Sequence, residues 1–142
     1  MIVVDTNVLV YAAGAEHPLR EPSRRLVEAI GDGRSRATTI AEVIQELVHV
    51  RAQRRSRRDA VDLGSNYAQL LSPLLVVGQD ELRMALRLYG RHERLTSFDA
   101  LLAATAITRG AEALVSADRA FAGIRGLRHV VPGTAAFELL VA

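Results

Sequence analysis

Apolar positions along this chain follow two rhythms. Short, mostly apolar runs occupy residues 2–4, 36–38, 74–77, 113–116 and 129–131. Runs of this length, rich in Val, Leu and Ile, suit strands covered on both faces, as in a parallel sheet. Between them the period lengthens to that of a helix. Residues 22–31 place Leu26, Val27 and Ile30 on one face, with Pro22 suited to the first helical position. Residues 40–52 align Ile40, Val43, Ile44, Leu47 and Val48, and residues 59–71 align Leu63, Tyr67, Leu70 and Leu71. Further helices are predicted over 79–93 and 97–109, with a short one over 134–140. Strands alternating with helices predict an α/β fold, a three-layer α/β/α sandwich around a mainly parallel sheet.

No repeat, linker or compositional break divides the chain, so residues 1–142 are expected to form a single domain. Hydrophobic residues make up 49% and charged residues 24%, the balance of a globular chain that is neither disordered nor membrane-embedded. Runs such as 74–77 fall far short of the ~20 apolar residues that span a bilayer. Met1 leads directly into a strand with no basic leader, which makes a cytoplasmic location the expectation.

Two absences narrow the chemistry. Without cysteine there is no disulfide framework, thiolate zinc site or cysteine nucleophile. All 18 basic residues are arginine, which excludes a phosphate-loop lysine, a Schiff base and a lysine-assisted aspartyl-phosphate site. The histidines, His17, His49, His92 and His129, are far apart and show no metal-ligand spacing. A net charge of +2 is mild, so attraction to a polyanion depends on local patches.

In open parallel sheets, ligands bind beyond the carboxyl ends of the strands, where helix N-termini also point. Four acids fall at such positions: Asp5 after the first strand, Glu42 in "TTIAEVIQEL", Asp99 in "TSFDALLAA" and Asp118 after "ALVSA". Each alone fits a helix cap. Thr39 with Glu42, and Thr96 with Asp99, have the spacing of a capping box, and Asp5 and Asp118 suit simple caps. Gathered at one sheet edge, however, they would repel and resist joint ionisation. A hard divalent cation relieves that repulsion, and Mg²⁺ needs only one or two carboxylates while it keeps several waters. Such a pocket supports phosphoryl transfer by metal-activated water. Thr6, Asn7 and Ser116 lie beside Asp5 and Asp118, where local turn bonding and a direct role in the pocket are both open.

The stretches "VVDTNVLV", "TTIAEVIQEL", "SFDALLAATA" and "LVSADRAF", in this order, resemble the PIN-domain ribonucleases, and at this length the VapC-type toxins of toxin–antitoxin pairs. The resemblance implies that Asp5 and Asp99 are essential metal ligands and that Glu42 and Asp118 complete the acidic pocket, with Asp118 also counted among the metal ligands. It implies that Thr6 or Asn7 and Ser116 support the pocket, Ser116 standing where a threonine is more usual. It further implies Mg²⁺ or Mn²⁺ as cofactor, RNA (tRNA or rRNA) as substrate, a homodimer, and a cognate VapB-type antitoxin as partner. Glu46, one helical turn beyond Glu42, shares its face and is expected at the pocket rim, supporting it or touching a partner.

The stretch "RAQRRSRRD" clusters Arg51, Arg54, Arg55, Arg57 and Arg58. Arginine forks suit phosphate oxygens, so the cluster is a candidate contact for RNA or for the antitoxin, against the alternative of a solvated helix end. A second stripe, Arg83, Arg87, Arg91 and Arg94, reads as a solvated face opposite Leu82, Leu86 and Tyr89. Three Phe, three Tyr and no Trp leave little for an aromatic platform, so base stacking is not expected to dominate recognition. The competing class is a non-catalytic RNA- or protein-binding module on the same fold; retention of all four acids argues against it. A small-molecule phosphohydrolase is a weaker alternative, because the lysine its common families use is missing.

Overall fold

A computed structural model describes all 142 residues. Strands β1 (Ile2–Val4), β2 (Ala37–Thr38), β3 (Ala113–Val115) and β4 (His129–Val130) form one parallel sheet in the order β2-β1-β3-β4. Successive strand residues point to opposite faces. All three residues of β1 and all three of β3 are buried, so helices cover the sheet on both sides, as the apolar runs require.

Seven helices surround the sheet: α1 (Thr6–Ala13), α2 (Arg20–Gly31), α3 (Ala41–Arg54), α4 (Arg57–Leu70), α5 (Gln79–Arg91), α6 (Ser97–Thr108) and α7 (Ala135–Val141). A 3-10 turn spans Arg119–Phe121. Helix α1 carries no helical signature in the sequence because "TNVLVYAA" is apolar on most of its faces and shows no single stripe. Helix α2 begins before Pro22, which lies inside its first turn. Helices α3 and α4 pack closely at Gly64, where a Cβ would stand 2.6 Å from Cγ2 of Val48. Helix α6 is nearly encased, with Ala100 and residues 102–106 buried. Phe121 and Phe137 fill the core with no exposed surface. No helix is long and apolar enough to cross a membrane.

Three expectations about local structure are corrected. Residues 74–77 form no strand. Leu75 makes one parallel bridge to Ile40, donating its amide to the Thr39 carbonyl at 2.9 Å, where the β2 segment is already turning into α3. The Val76 carbonyl instead accepts from the Arg109 guanidinium at 2.6 Å. The Thr39–Glu42 capping box is absent as well. Ile40 is the N-cap of α3, and the Thr39 hydroxyl donates to the Val4 carbonyl at 2.7 Å, tying β2 to β1. Finally, α5 buries Glu81, Ala85 and Leu88 rather than Leu82, Leu86 and Tyr89, which are 48%, 62% and 52% exposed. Close packing of α5 on the alanine-rich α6 selects the face with the smaller side chain in the middle.

The strand order decides where a site can form. From β1 the chain crosses to β2 on one side and later returns to β3 on the other. The crevice between the carboxyl ends of β1 and β3 is therefore the topological switch point, the favoured ligand position in such sheets.

Candidate active site

At that switch point β1 ends in Asp5, whose amide continues the ladder by donating to the Val115 carbonyl of β3 at 3.0 Å. The Asp5 carboxylate is buried and held at both oxygens. Oδ1 accepts from the Thr6 amide at 2.7 Å, capping α1, and Oδ2 accepts from the Ser116 hydroxyl at 2.7 Å and the Asn7 amide group at 3.1 Å. Asp5 is thus both a cap and a pocket carboxylate.

Ser116, fully buried just beyond β3, is the hub of this arrangement. Its Oγ donates to Asp5 and accepts from Asn7 Nδ2 at 3.1 Å and from the Asp118 amide at 3.0 Å, which uses the whole capacity of a hydroxyl. Asn7 Oδ1 in turn accepts from the Ala117 amide at 3.1 Å, stitching the start of α1 to the loop after β3. Asp118 caps the 3-10 turn through Ala120 and stands exposed. Asp99 enters from a different direction, half-buried in the first turn of α6, with its own amide donating to the Thr96 hydroxyl at 3.1 Å. Thr96 is therefore an N-cap, as the spacing predicted.

Helix α3 brings two acids, Glu42 and Glu46, to this region, and they differ in what they touch. Thr6 Oγ1 donates to Glu46 Oε2 at 3.0 Å, which draws Glu46 to the Asp5 loop. Glu42 lines the neighbouring pocket but makes no such bond and is not among the charges that act on Asp5 or Asp99. Both glutamates immediately precede a buried residue, Val43 and Leu47, so helical periodicity could not separate them. Their distance along the axis does, being one turn, ~6 Å.

The electrostatics show how closely these acids communicate. Burial pushes the Asp5 carboxyl above its ordinary value of 3.8; the bonds from Ser116 and Thr6 oppose this, and the charges of Glu46 and Asp118 add to it. Burial likewise raises Asp99 to about 6, reinforced by the charges of Asp5, Asp118 and Glu46 and opposed by the Thr96 hydroxyl. These four carboxylates border a cleft of about 430 Å³. No three carboxylate or imidazole groups converge closely enough to enclose an ion by themselves. An all-oxygen donor set around an open, water-accessible cleft fits Mg²⁺, which retains much of its hydration shell.

Arg54 lines the same cleft, so one cation from the basic cluster does reach the acids. Arg55, Arg57 and Arg58 are exposed. Arg51 is committed elsewhere: its Nε lies 2.8 Å from Asp59 Oδ1 and its Nη1 donates to the Ala13 carbonyl at 3.2 Å, joining α3 to α4 and α1. These bonds give Arg51 a structural role between the three helices. Phe98, 72% exposed beside Asp99, borders both the cleft and the adjoining pocket, and nothing in the sequence pattern had singled it out. Its signal was a large apolar residue at an acid-bearing helix start.

Comparison with known proteins agrees with this architecture. A family model described as PIN domain matches residues 2–127. The chain is 51% identical to Ribonuclease VapC7 of Mycobacterium tuberculosis across 99% of this chain and 98% of that protein. It is 33% identical to Ribonuclease VapC23 of the same organism across 86% of this chain and 96% of the relative. Among solved structures, VapC20 of M. tuberculosis, described as a sarcin–ricin loop cleaving toxin, superposes with a TM-score of 0.71 at 21% identity, covering 90% of this chain and 99% of that one. VapBC2 from Rickettsia felis, solved with a DNA fragment from its promoter, gives 0.73 at 20% identity, covering 93% and 99%. Identities this low in the structural matches speak for the fold, and the curated relatives carry the family: the chain belongs to the VapC ribonucleases of the PIN-domain family.

Proposed function

We propose that this protein is an endoribonuclease toxin that hydrolyses RNA phosphodiester bonds with Mg²⁺ or Mn²⁺ held by Asp5, Asp99 and Asp118, with Glu46 as the fourth acid. The observation that carries this reading is the shared cleft: acids from four separate stretches meet at the switch point of the sheet, where the charges of Glu46 and Asp118 add to the raised proton affinity of Asp5 and Asp99. When bound, the metal supplies a water of lowered pKa and neutralises charge that builds up on the phosphate. The chain does the rest. Ser116, Asn7 and the Thr6 amide hold the Asp5 carboxylate in one orientation. Glu46, tied to Thr6 through Oε2, keeps Oε1 to accept a proton from the attacking water. Arg54 faces the cleft and is placed to take a phosphate oxygen. Glu42 lies outside this set.

The proposed substrates are structured RNAs, tRNA or rRNA; VapC20, a structural neighbour, is described as cleaving the sarcin–ricin loop. The proposed partners are a VapB-type antitoxin and a second copy of the chain. The solved toxin–antitoxin complex from Klebsiella pneumoniae and the VapBC2 complex support the first of these. Purified protein is expected to cut RNA with Mg²⁺ or Mn²⁺ and to stop on chelation. Asp5→Asn and Glu46→Gln are expected to abolish cutting in folded protein. Cutting that survives in both variants, or in EDTA, would sink the reading, and RNA binding without any cutting would favour the non-catalytic module.

A further inference from the structure

We propose that the pocket beside the acidic cleft receives one unstacked nucleobase of the RNA, with Phe98 stacking on its face and Glu42 accepting hydrogen bonds from its amino edge. The inference rests on the ribonuclease reading and adds a specificity site to it. The pocket holds about 390 Å³, within the range of preformed small-molecule sites, and its floor is apolar, formed by Ile40, Val43 and Leu102. It opens into the cleft at Asp5 and Asp99, so its occupant must be continuous with whatever phosphodiester the acids engage.

Phe98 stands 72% exposed at this junction, on a helix otherwise buried on nearly every side. A lone ring in solvent beside a phosphate-processing cleft matches the way single-stranded RNA is read, base by base on aromatic faces. Glu42 adds direction. It lines the pocket, forms no hydrogen bond or ion pair within the chain, and sits one helical turn from Glu46. A carboxylate can only accept. It therefore favours bases with amino donors, guanine best because N1–H and N2–H lie side by side, and it disfavours uracil, whose exposed edge is flanked by carbonyl oxygens.

Binding is measured in the non-cleaving Asp99→Asn protein with fluorescent oligouridylates that carry one central guanosine, or none. The guanosine oligonucleotide is expected to bind more tightly. Adding Phe98→Ala is expected to weaken it about 5- to 150-fold, with Phe98→Trp restoring it. Adding Glu42→Gln is expected to remove the preference for guanine over uracil. In wild-type protein, sequencing the ends cut from a random RNA pool is expected to show uracil depleted at one fixed position near the cut, and Glu42→Gln to erase that depletion. If both substitutions bind and cut like their parents, the proposal falls while the ribonuclease reading stands. Wild-type protein that cuts nothing with Mg²⁺ or Mn²⁺ removes the ribonuclease reading and the proposal with it. A Phe98→Ala protein that keeps its RNA behaviour but no longer co-purifies with a co-expressed antitoxin overturns the proposal in favour of a protein side chain in the pocket.

Discussion

Asp99→Asn should make the metal-free protein more stable while it destroys activity. In the fold, the Asp99 carboxyl holds its proton up to about pH 6, against an ordinary value of 3.8. Undamped, that difference amounts to ~3 kcal/mol of destabilisation at neutral pH, and solvent screening of a half-exposed group reduces it to roughly 1.5 kcal/mol. Asparagine removes this penalty and also forfeits the favourable interaction of a first-turn carboxylate with the helix dipole, about 0.3–1 kcal/mol. The balance leaves the variant ahead by roughly 0.5–1 kcal/mol. The sign follows from proton binding. The folded state binds more protons than the unfolded state between about pH 4 and 6, so wild-type stability falls as pH rises through that window and levels off above it. Urea denaturation in EDTA is expected to show the variant more stable at about pH 7.5, with the gap closing near pH 4.5. Saturating Mg²⁺ at neutral pH should reverse the order, because the ion stabilises only a protein that binds it. A variant less stable than wild type in EDTA at neutral pH, or a gap independent of pH, would refute the picture of a mutually repelling acid cluster.

Other outcomes test the scaffold. Gly64→Ala gains up to ~1 kcal/mol of helix propensity, but the added Cβ meets Val48 Cγ2 at 2.6 Å, and a β-branched residue in a helix has little rotamer freedom to yield. Overpacking of ~1–3 kcal/mol should dominate, giving a lower urea midpoint that Val48→Ala restores in the double variant. Ser116→Ala leaves Asp5, Asn7 and the Asp118 amide without their common partner, and is expected to cost ~2–3 kcal/mol in denaturation and to slow cleavage; Ser116→Thr should retain more of both. Arg51→Gln should lower stability and leave the salt dependence of RNA binding unchanged. Neutralising Arg54, Arg55, Arg57 and Arg58 should instead flatten the log–log salt slope by about 0.7 for each RNA phosphate that an arginine had paired.

Much of the fold was legible because it depends on local chemistry. The apolar runs at 2–4 and 113–115 announced strands buried on both faces, and the structure buries them so. Thr96 caps α6 because a hydroxyl at a helix start satisfies a free amide wherever the helix lies. Asp5 and Asp99 could be singled out from their place beside strand ends and helix starts, and the missing lysines narrowed the chemistry that such acids perform.

What periodicity cannot supply is a partner for each face. It groups Glu42 with Glu46, but only the seating of α3 against α1 brings Glu46 within reach of the Thr6 hydroxyl. It offers either stripe of α5, and close approach to α6 selects the face with Ala85 at its centre. It cannot foresee that Asp59 recruits Arg51 out of the basic cluster, or that residues 74–77 meet the sheet at a single bridge. The strand order β2-β1-β3-β4 is of the same kind. By itself the sequence determined which residues share a strand or a helical stripe and which chemistry they carry, because those depend on neighbours along the chain. Only the tertiary structure decided which acids feel one another's charge, because burial and electrostatic coupling depend on distance through space.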